Sequence, residues 1–254
     1  MDSEGFQLEL RQVSQHVWVY PTDPNRALIR PSVGVVVADD QSVLYDCGNS
    51  PLHAQAIQQA MQAHGLPPVR QIVYSHCHWD HLAGAQVWGE VDVIAHRLTA
   101  DYLERIMARI NQQADIAGYI QEEAPWLQVL YDGVIEAYGD WELYRGVMPT
   151  HIVDETQWTL QAGQLRLELE HVGGNHSDDS VIMRIPQDGV ILVADALYGS
   201  PTVGRDPSAL PPDFSLIERI QAEGWQVLVD GHIDVFTPAT FARYLDKLKR
   251  RYAR

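Results

Sequence analysis

The chain has 254 residues, enough for one large domain or two small ones, and 46% of them are apolar, so a sizeable core can form. With 34 acidic side chains against 18 Lys and Arg, the formal net charge of −16 argues against nucleic acid or another polyanion as partner. Two cysteines make no disulfide framework, no stretch approaches a membrane span, and the acidic start Met1-Asp2-Ser3-Glu4 is unlike a signal peptide. A soluble cytoplasmic protein that engages no membrane is the expectation.

Residues 6–46 read as a β-meander. His16-Val17-Trp18-Val19-Tyr20, the run from Ser32 to Ala38, and Ser42-Val43-Leu44-Tyr45 are β-branched or aromatic, with Asp39-Asp40-Gln41 as a tight turn. The third run ends at Asp46-Cys47-Gly48. Ser50 then caps a helix with Pro51 at its first position, running to about His64 before Gly65 stops it. The apolar run Gln71-Ile72-Val73-Tyr74 and the later Val91-Asp92-Val93-Ile94 are strands, so strands now alternate with helical or loop segments, an α/β layering.

Residues 97–150 break that rhythm. Leu98, Tyr102, Ile106 and Ile110 recur at helical spacing, and Tyr119, Trp126, Tyr131, Tyr138, Trp141 and Tyr144 follow without a clear strand. The segment reads as two or three inserted helices, whose aromatics either pack the insertion onto the body or roof a site; it is expected to set specificity and not chemistry. Beyond it, strands return at 157–160, 165–170, 180–185 and 190–194. A helix over about Asp213–Glu223, a strand over 226–229 and a last helix capped by Thr237-Pro238 follow. That last helix carries the stripe Phe241, Tyr244, Leu245, Leu248, and its basic end Lys247-Leu248-Lys249-Arg250-Arg251 opposes the helix dipole.

The chemistry is concentrated in Ser75-His76-Cys77-His78-Trp79-Asp80-His81, in the loop leaving the strand at 71–74. Imidazole and carboxylate are ligands for zinc and other first-row divalent ions, and alternate residues of an extended chain point the same way. His76 and His78 can thus hold one ion, while Asp80 and His81, after a bend, face a second. Cys77 points the other way and reads as a packed thiol. Three more candidates end strands: His176 after Gly173-Gly174-Asn175, Asp195 after the run 190–194, and His232 after Asp230-Gly231. A buried ionisable group there is costly unless paired or metal-bound.

This pattern resembles the metallo-β-lactamase superfamily over nearly the whole chain. The H-x-H-x-D-H box stands as His76 to His81, with His176, Asp195 and His232 in family order and Asp46 as the carboxylate behind the site. The resemblance implies a single domain over 1–254, a four-layer αββα sandwich with the insertion at about 97–150. It also implies two divalent ions, zinc first and iron or manganese as alternatives. His76, His78 and His176 would hold one ion, Asp80, His81 and His232 the other, and Asp195 would bridge them. A water shared by the ions would attack an activated carbonyl of a small-molecule substrate, with Asp80 and Asp195 orienting it and moving the proton.

Asp195 stands where the best-known zinc lactamases carry Cys or Ser, which demotes β-lactams and favours the lactonase and glyoxalase II branches. Tyr198 is similar to the lactonase tyrosine that touches the substrate carbonyl, so it is a catalytic candidate, with packing behind the loop as the other role. His176-Ser177-Asp178 departs from the Thr-Pro-Gly that follows this histidine in the glyoxalase type, so lactones and esters come ahead of thioesters. The alternatives are a single-iron reaction like that of sulfur dioxygenases, a nuclease, weak β-lactamase activity, or a non-catalytic metal-binding domain. Specificity would also draw on the loop 199–204.

Overall fold

β-Branched runs extend, and the meander follows from them. The computed structural model describes residues 8–201, 208–233 and 235–253. In the first sheet β1 (Arg11–Gln12), β2 (Val17–Tyr20), β3 (Val33–Ala38) and β4 (Gln41–Tyr45) run antiparallel. β5 (Val69–Val73), β6 (Asp92–His96) and β7 (His151–Val153) then add on in parallel, giving seven strands in chain order. The second sheet holds β8 (Gln157–Ala162), β9 (Leu165–His171), β10 (Val181–Ile185), β11 (Val190–Ala194), β12 (Val227–Asp230) and β13 (Val235–Phe236). Its order is β13-β12-β11-β10-β9-β8, and only β11 and β12 are parallel neighbours.

The alternation in each strand decides which face meets which layer. Val17, Val19, Val36 and Val43 of the first sheet meet Leu165, Leu167, Leu169, Met183 and Leu192 of the second in one buried core. Helix α1 (Pro51–Ala63) begins where Ser50 accepts from the His53 amide. It packs Ile57 and Met61 on the outer side of the first sheet, against Leu44, Ile72 and Val93. The four-residue α2 (Trp79–Leu82) follows β5 directly. On the far side, α6 (Phe214–Gln221) and α7 (Pro238–Tyr252) cover the second sheet through Leu216, Ile217, Ile220, Phe241 and Leu245. Asp213 and a Thr237–Thr240 capping box start these two helices. The architecture is the four-layer αββα sandwich. Among the described residues no helix is long and apolar enough to cross a membrane.

Residues 97–150 form the crossover from β6 to β7, and only part of it is added material. α3 (Arg97–Asn111) belongs to the outer helical layer, because Leu103 joins the core that α1 shares with the sheet. Its buried face is Thr99, Ala100, Leu103 and Ile110; of the row Leu98, Tyr102, Ile106 and Ile110 that marked the helix, Ile110 is buried and Ile106 is 37% exposed. The addition proper is α4 (Ile116–Glu122) and α5 (Gln128–Tyr138), with single 3-10 turns at Pro125–Leu127 and Trp141–Leu143. Tyr119, Tyr131, Tyr138, Trp141 and Tyr144 pack on the core of this addition, around Ile120, Leu127, Leu130 and Val134. Trp126 is 58% exposed. Trp79 and Ala83, on and just after α2, belong to the same cluster, so the addition braces the histidine loop.

Candidate metal centre

The parallel strands β4 and β5 end beside each other, as do β11 and β12, and loops at the carboxyl ends of parallel strands are where such sheets place ligands. Two of these exits use left-handed backbone at residues other than glycine, Asp46 at φ 65° and Ala194 at φ 44°. Such backbone is strained, and here it turns the chain sharply just before a functional side chain. Asp46 is 1% exposed and organises the first exit. Its Oδ1 accepts from the Ser75 amide, and its Oδ2 accepts from the Ser75 hydroxyl, each at 2.8 Å.

These bonds fix which nitrogens face the centre. Asp46 Oδ2 lies 2.7 Å from His81 Nδ1, so that nitrogen carries a proton and Nε2 turns into the centre, buried and without a hydrogen-bond partner. Ser75 Oγ, having donated to Asp46, accepts from His76 Nδ1 at 2.9 Å, which leaves His76 Nε2 to face inward. His176 Nδ1 donates to the Gly199 carbonyl at 3.1 Å, again leaving Nε2 free. His76 Nε2 and His176 Nε2 then lie 2.9 and 3.0 Å from His78 Nδ1. Three ring nitrogens converge with at most one proton to share, which is the donor set a divalent ion needs.

The second group lies beside the first. His232 Nε2 is 3.1 Å from Asp80 Oδ2, and His81 Nε2 is 3.6 Å from the same oxygen. Asp195 spans both groups: its Oδ2 is 3.3 Å from His176 Nε2 and 3.4 Å from His232 Nε2, and its Oδ1 is 3.5 Å from His81 Nε2. Three overlapping sets therefore have ligand atoms within 4.8 Å of one another: His76, His78 and His176; His76, His81 and Asp195; Asp80, His81 and His232. All seven sequence candidates meet in one place.

The titrations describe the same demand for positive charge. Burial drives His76 and His78 below the usual imidazole range, so they face the centre neutral, as ligands must. Burial acts on His232 in the same direction, but Asp195 and Asp80 overcome it and push this imidazole up to about 10. His81 likewise rises against burial under Asp195, Asp46 and Asp80. The carboxylates thus draw protons onto their neighbours where cations would serve, and the residues fit two divalent ions.

Cys77 sits between ligands yet in none of the three sets; it is 8% exposed, and burial with Asp179 nearby pushes its thiol up to about 12. It is the packed thiol expected. Tyr198 stands near the ligands, with ring centroids 5.8 Å from His176 and 6.4 Å from His232, and its hydroxyl donates to Asp230. Of the loop 199–204, residues 202–204 lie outside the described residues. Two supporting carboxylates had no signal in the sequence. Asp179, fully buried, accepts from the Cys77 amide at 2.8 Å and from the Ser177 hydroxyl, tying the His76 loop to the His176 loop across 102 residues. Asp230 is the other.

An αββα protein with a cluster of His and Asp side chains at its strand ends that could hold metal is the class that fold and geometry define. The metallo-β-lactamase superfamily model matches residues 28–234, more than half of the chain, and the protein belongs to that family. Among solved structures, a metallo-β-lactamase from Pontibacter korlensis is similar at 19% identity and TM-score 0.63, over 96% of this chain and 99% of that one. At that identity the likeness speaks for the fold. No curated protein matches in sequence.

Proposed function

We propose that the protein is a hydrolase of small molecules that uses two divalent ions, zinc first and iron or manganese as alternatives, to cleave an activated carbonyl. The observation that carries this reading is Asp195, whose one carboxylate lies within 3.5 Å of imidazoles from both groups. His76, His78 and His176 would hold the first ion, Asp80, His81 and His232 the second, and Asp195 both. Bound there, the ions would acidify a water and polarise the scissile carbonyl. In the metal-free protein His81 and His232 hold Asp80 and Asp195 below the usual carboxylate range against their burial, and bound ions would keep both ionised in their place. Their carboxylates can therefore receive the proton of the attacking water and return it to the leaving group. Asp46 and Asp179 hold the ligand loops in register for this.

The expected order of substrates is lactone or other ester, then thioester, then β-lactam. It rests on a carboxylate at position 195 and on Ser177-Asp178 after His176. The test is elemental analysis of gently purified protein together with rates on one member of each class. Two ions per chain and fastest turnover of the lactone are expected. A stoichiometry that stays at one after supplementation, or a preference for the β-lactam, would overturn the reading.

A further inference from the structure

We infer that Tyr198 and Asp230 form a positioning pair for His232, and that the Tyr198 hydroxyl is spent on this pair instead of on a substrate carbonyl. Asp230, the last residue of β12, is 1% exposed and is not in the ligand sets. Its Oδ1 accepts three bonds: from the Tyr198 hydroxyl, from the His232 amide at 3.0 Å and from the Ile233 amide at 2.9 Å. Tyr198 Oη in turn accepts from the His232 amide at 3.1 Å. A phenol has one proton, and a buried carboxylate is the strongest acceptor within its reach. With that proton given to Asp230, none is left for a developing oxyanion.

The pair closes a ring through both halves of the centre. Tyr198 begins from the turn that carries the bridging residue, its amide donating to the Asp195 carbonyl at 2.9 Å. From Tyr198 the contacts run to Asp230, then to the His232 backbone, and from His232 Nε2 back to Asp195 Oδ2 at 3.4 Å. The Asp230 carbonyl is pinned by the Ser32 hydroxyl at 2.5 Å, and the Gly231 amide by the Ala194 carbonyl at 2.9 Å. In the sharp turn at 230–233 the His232 and Ile233 amides are thus satisfied by one side-chain oxygen, and Tyr198 keeps that oxygen in place. The hydrogen bonds of the pair reach the second ion through His232; its contact with the first group is the Tyr198 ring, 5.8 Å from that of His176 between centroids, and Tyr198→Phe keeps that ring.

The metal readout rests on the two-ion reading above, so a metal-free readout accompanies it. Zinc affinities would be measured by chelator competition for wild type, Tyr198→Phe, Asp230→Ala, Asp230→Asn and the double variant Tyr198→Phe/Asp230→Ala. Hydrogen exchange of the His232 amide would be measured in the metal-free proteins. Tyr198→Phe and Asp230→Ala should each weaken one of the two ions by about tenfold to a hundredfold and spare the other, as losses behind a ligand do. The double variant should be no weaker than Asp230→Ala, because both act through one oxygen. Asp230→Asn keeps an acceptor at Oδ1 and should stay close to wild type. His232 amide exchange should quicken in Tyr198→Phe, and ester turnover of that variant should return at saturating zinc. A Tyr198→Phe protein with both ions at wild-type affinity, unchanged amide exchange and a kcat that zinc does not restore would overturn the pair and make Tyr198 a catalytic residue. Absence of any ester or thioester turnover in the wild type would sink the hydrolase reading alone, since exchange and affinity would still decide this one. Should Asp230→Ala not fold, Tyr198→Phe and Asp230→Asn carry the same decision.

Discussion

Gly231 shows how little space the centre leaves at the scale of single residues. A Cβ there would lie 2.1 Å from Asp195 Oδ1 and 3.1 Å from the Ala194 carbonyl carbon, so the bridging carboxylate occupies the volume any side chain would need. Gly231→Ala should cost about 1–3 kcal/mol of stability by overpacking and also lower metal content. Gly65 has a positive φ but open space around it. Gly65→Ala should cost about 1 kcal/mol and leave metal content intact. Equal metal loss in the two variants, read by elemental analysis, would show that contact with Asp195 is not the cause. His53 supplies a pH test at a residue outside the ligand sets. Burial, with Arg30 adding to it, lowers this imidazole to about 3, and its Nε2 has no hydrogen-bond partner. Its folded value lies below the unfolded one, so its contribution is full above about 6.5 and falls at roughly 1.4 kcal/mol per pH unit below that. His53→Gln should therefore flatten the loss of urea resistance between pH 6.5 and 5. An unchanged slope would mean that His53 takes its proton in the folded state.

At the scale of elements, local signals reached the site and long-range ones did not. Ser50-Pro51, Asp213 and Thr237-Pro238 act on residues three positions away or fewer, and helices α1, α6 and α7 start where those caps stand. All seven candidate ligands were legible from residue type and spacing or strand ends, because each follows a strand with a strong apolar run. Asp179 and Asp230 were not, since one works across 102 residues and the other across 32, and neither partner is marked in the sequence. Two-residue strands such as β1 and β13 are too short for a period. Helical spacing located α3 but did not say which of its apolar residues the layer would bury: Leu103 and Ile110 are buried, and Ile106 is not. Trp79 and Ala83 pack into the core of the addition formed by α4 and α5, and Gly133 of α5 lies against Ser50 at the start of α1, so the addition supports α2. Replacing residues 112–140 by a short linker should weaken the ion held by Asp80 and His81, which flank that contact, while the ion on His76, His78 and His176 stays. Chelator competition on the folded deletion variant would read this, and two unchanged affinities would return the addition to a role in specificity alone.

For the whole molecule, the centre is where the two halves of the sandwich are joined by charge. The first half contributes Asp46, His76, His78, Asp80 and His81, and the second contributes His176, Asp195 and His232. Between them lie buried carboxylates whose charges need compensation from either ions or protons. In the metal-free protein the compensation is the proton on His232, held up to about 10, and that on His81, also held above its usual range. Both folded values lie above the unfolded one, so this stabilisation is complete below about pH 6.5 and is lost as pH rises toward 10. Bound ions would carry the same positive charge without titrating, and their binding would release those protons. The difference in melting temperature between metal-loaded and chelator-treated protein should therefore widen steadily from pH 6.5 to pH 9.5. Calorimetric titration of zinc into the metal-free protein, repeated in buffers of different ionisation enthalpy, should report release of about two protons near pH 7.5. A melting gap that stays constant over that window, with no proton release, would mean that His81 and His232 are already neutral without the ions. The two halves would then be held together at this end by packing alone.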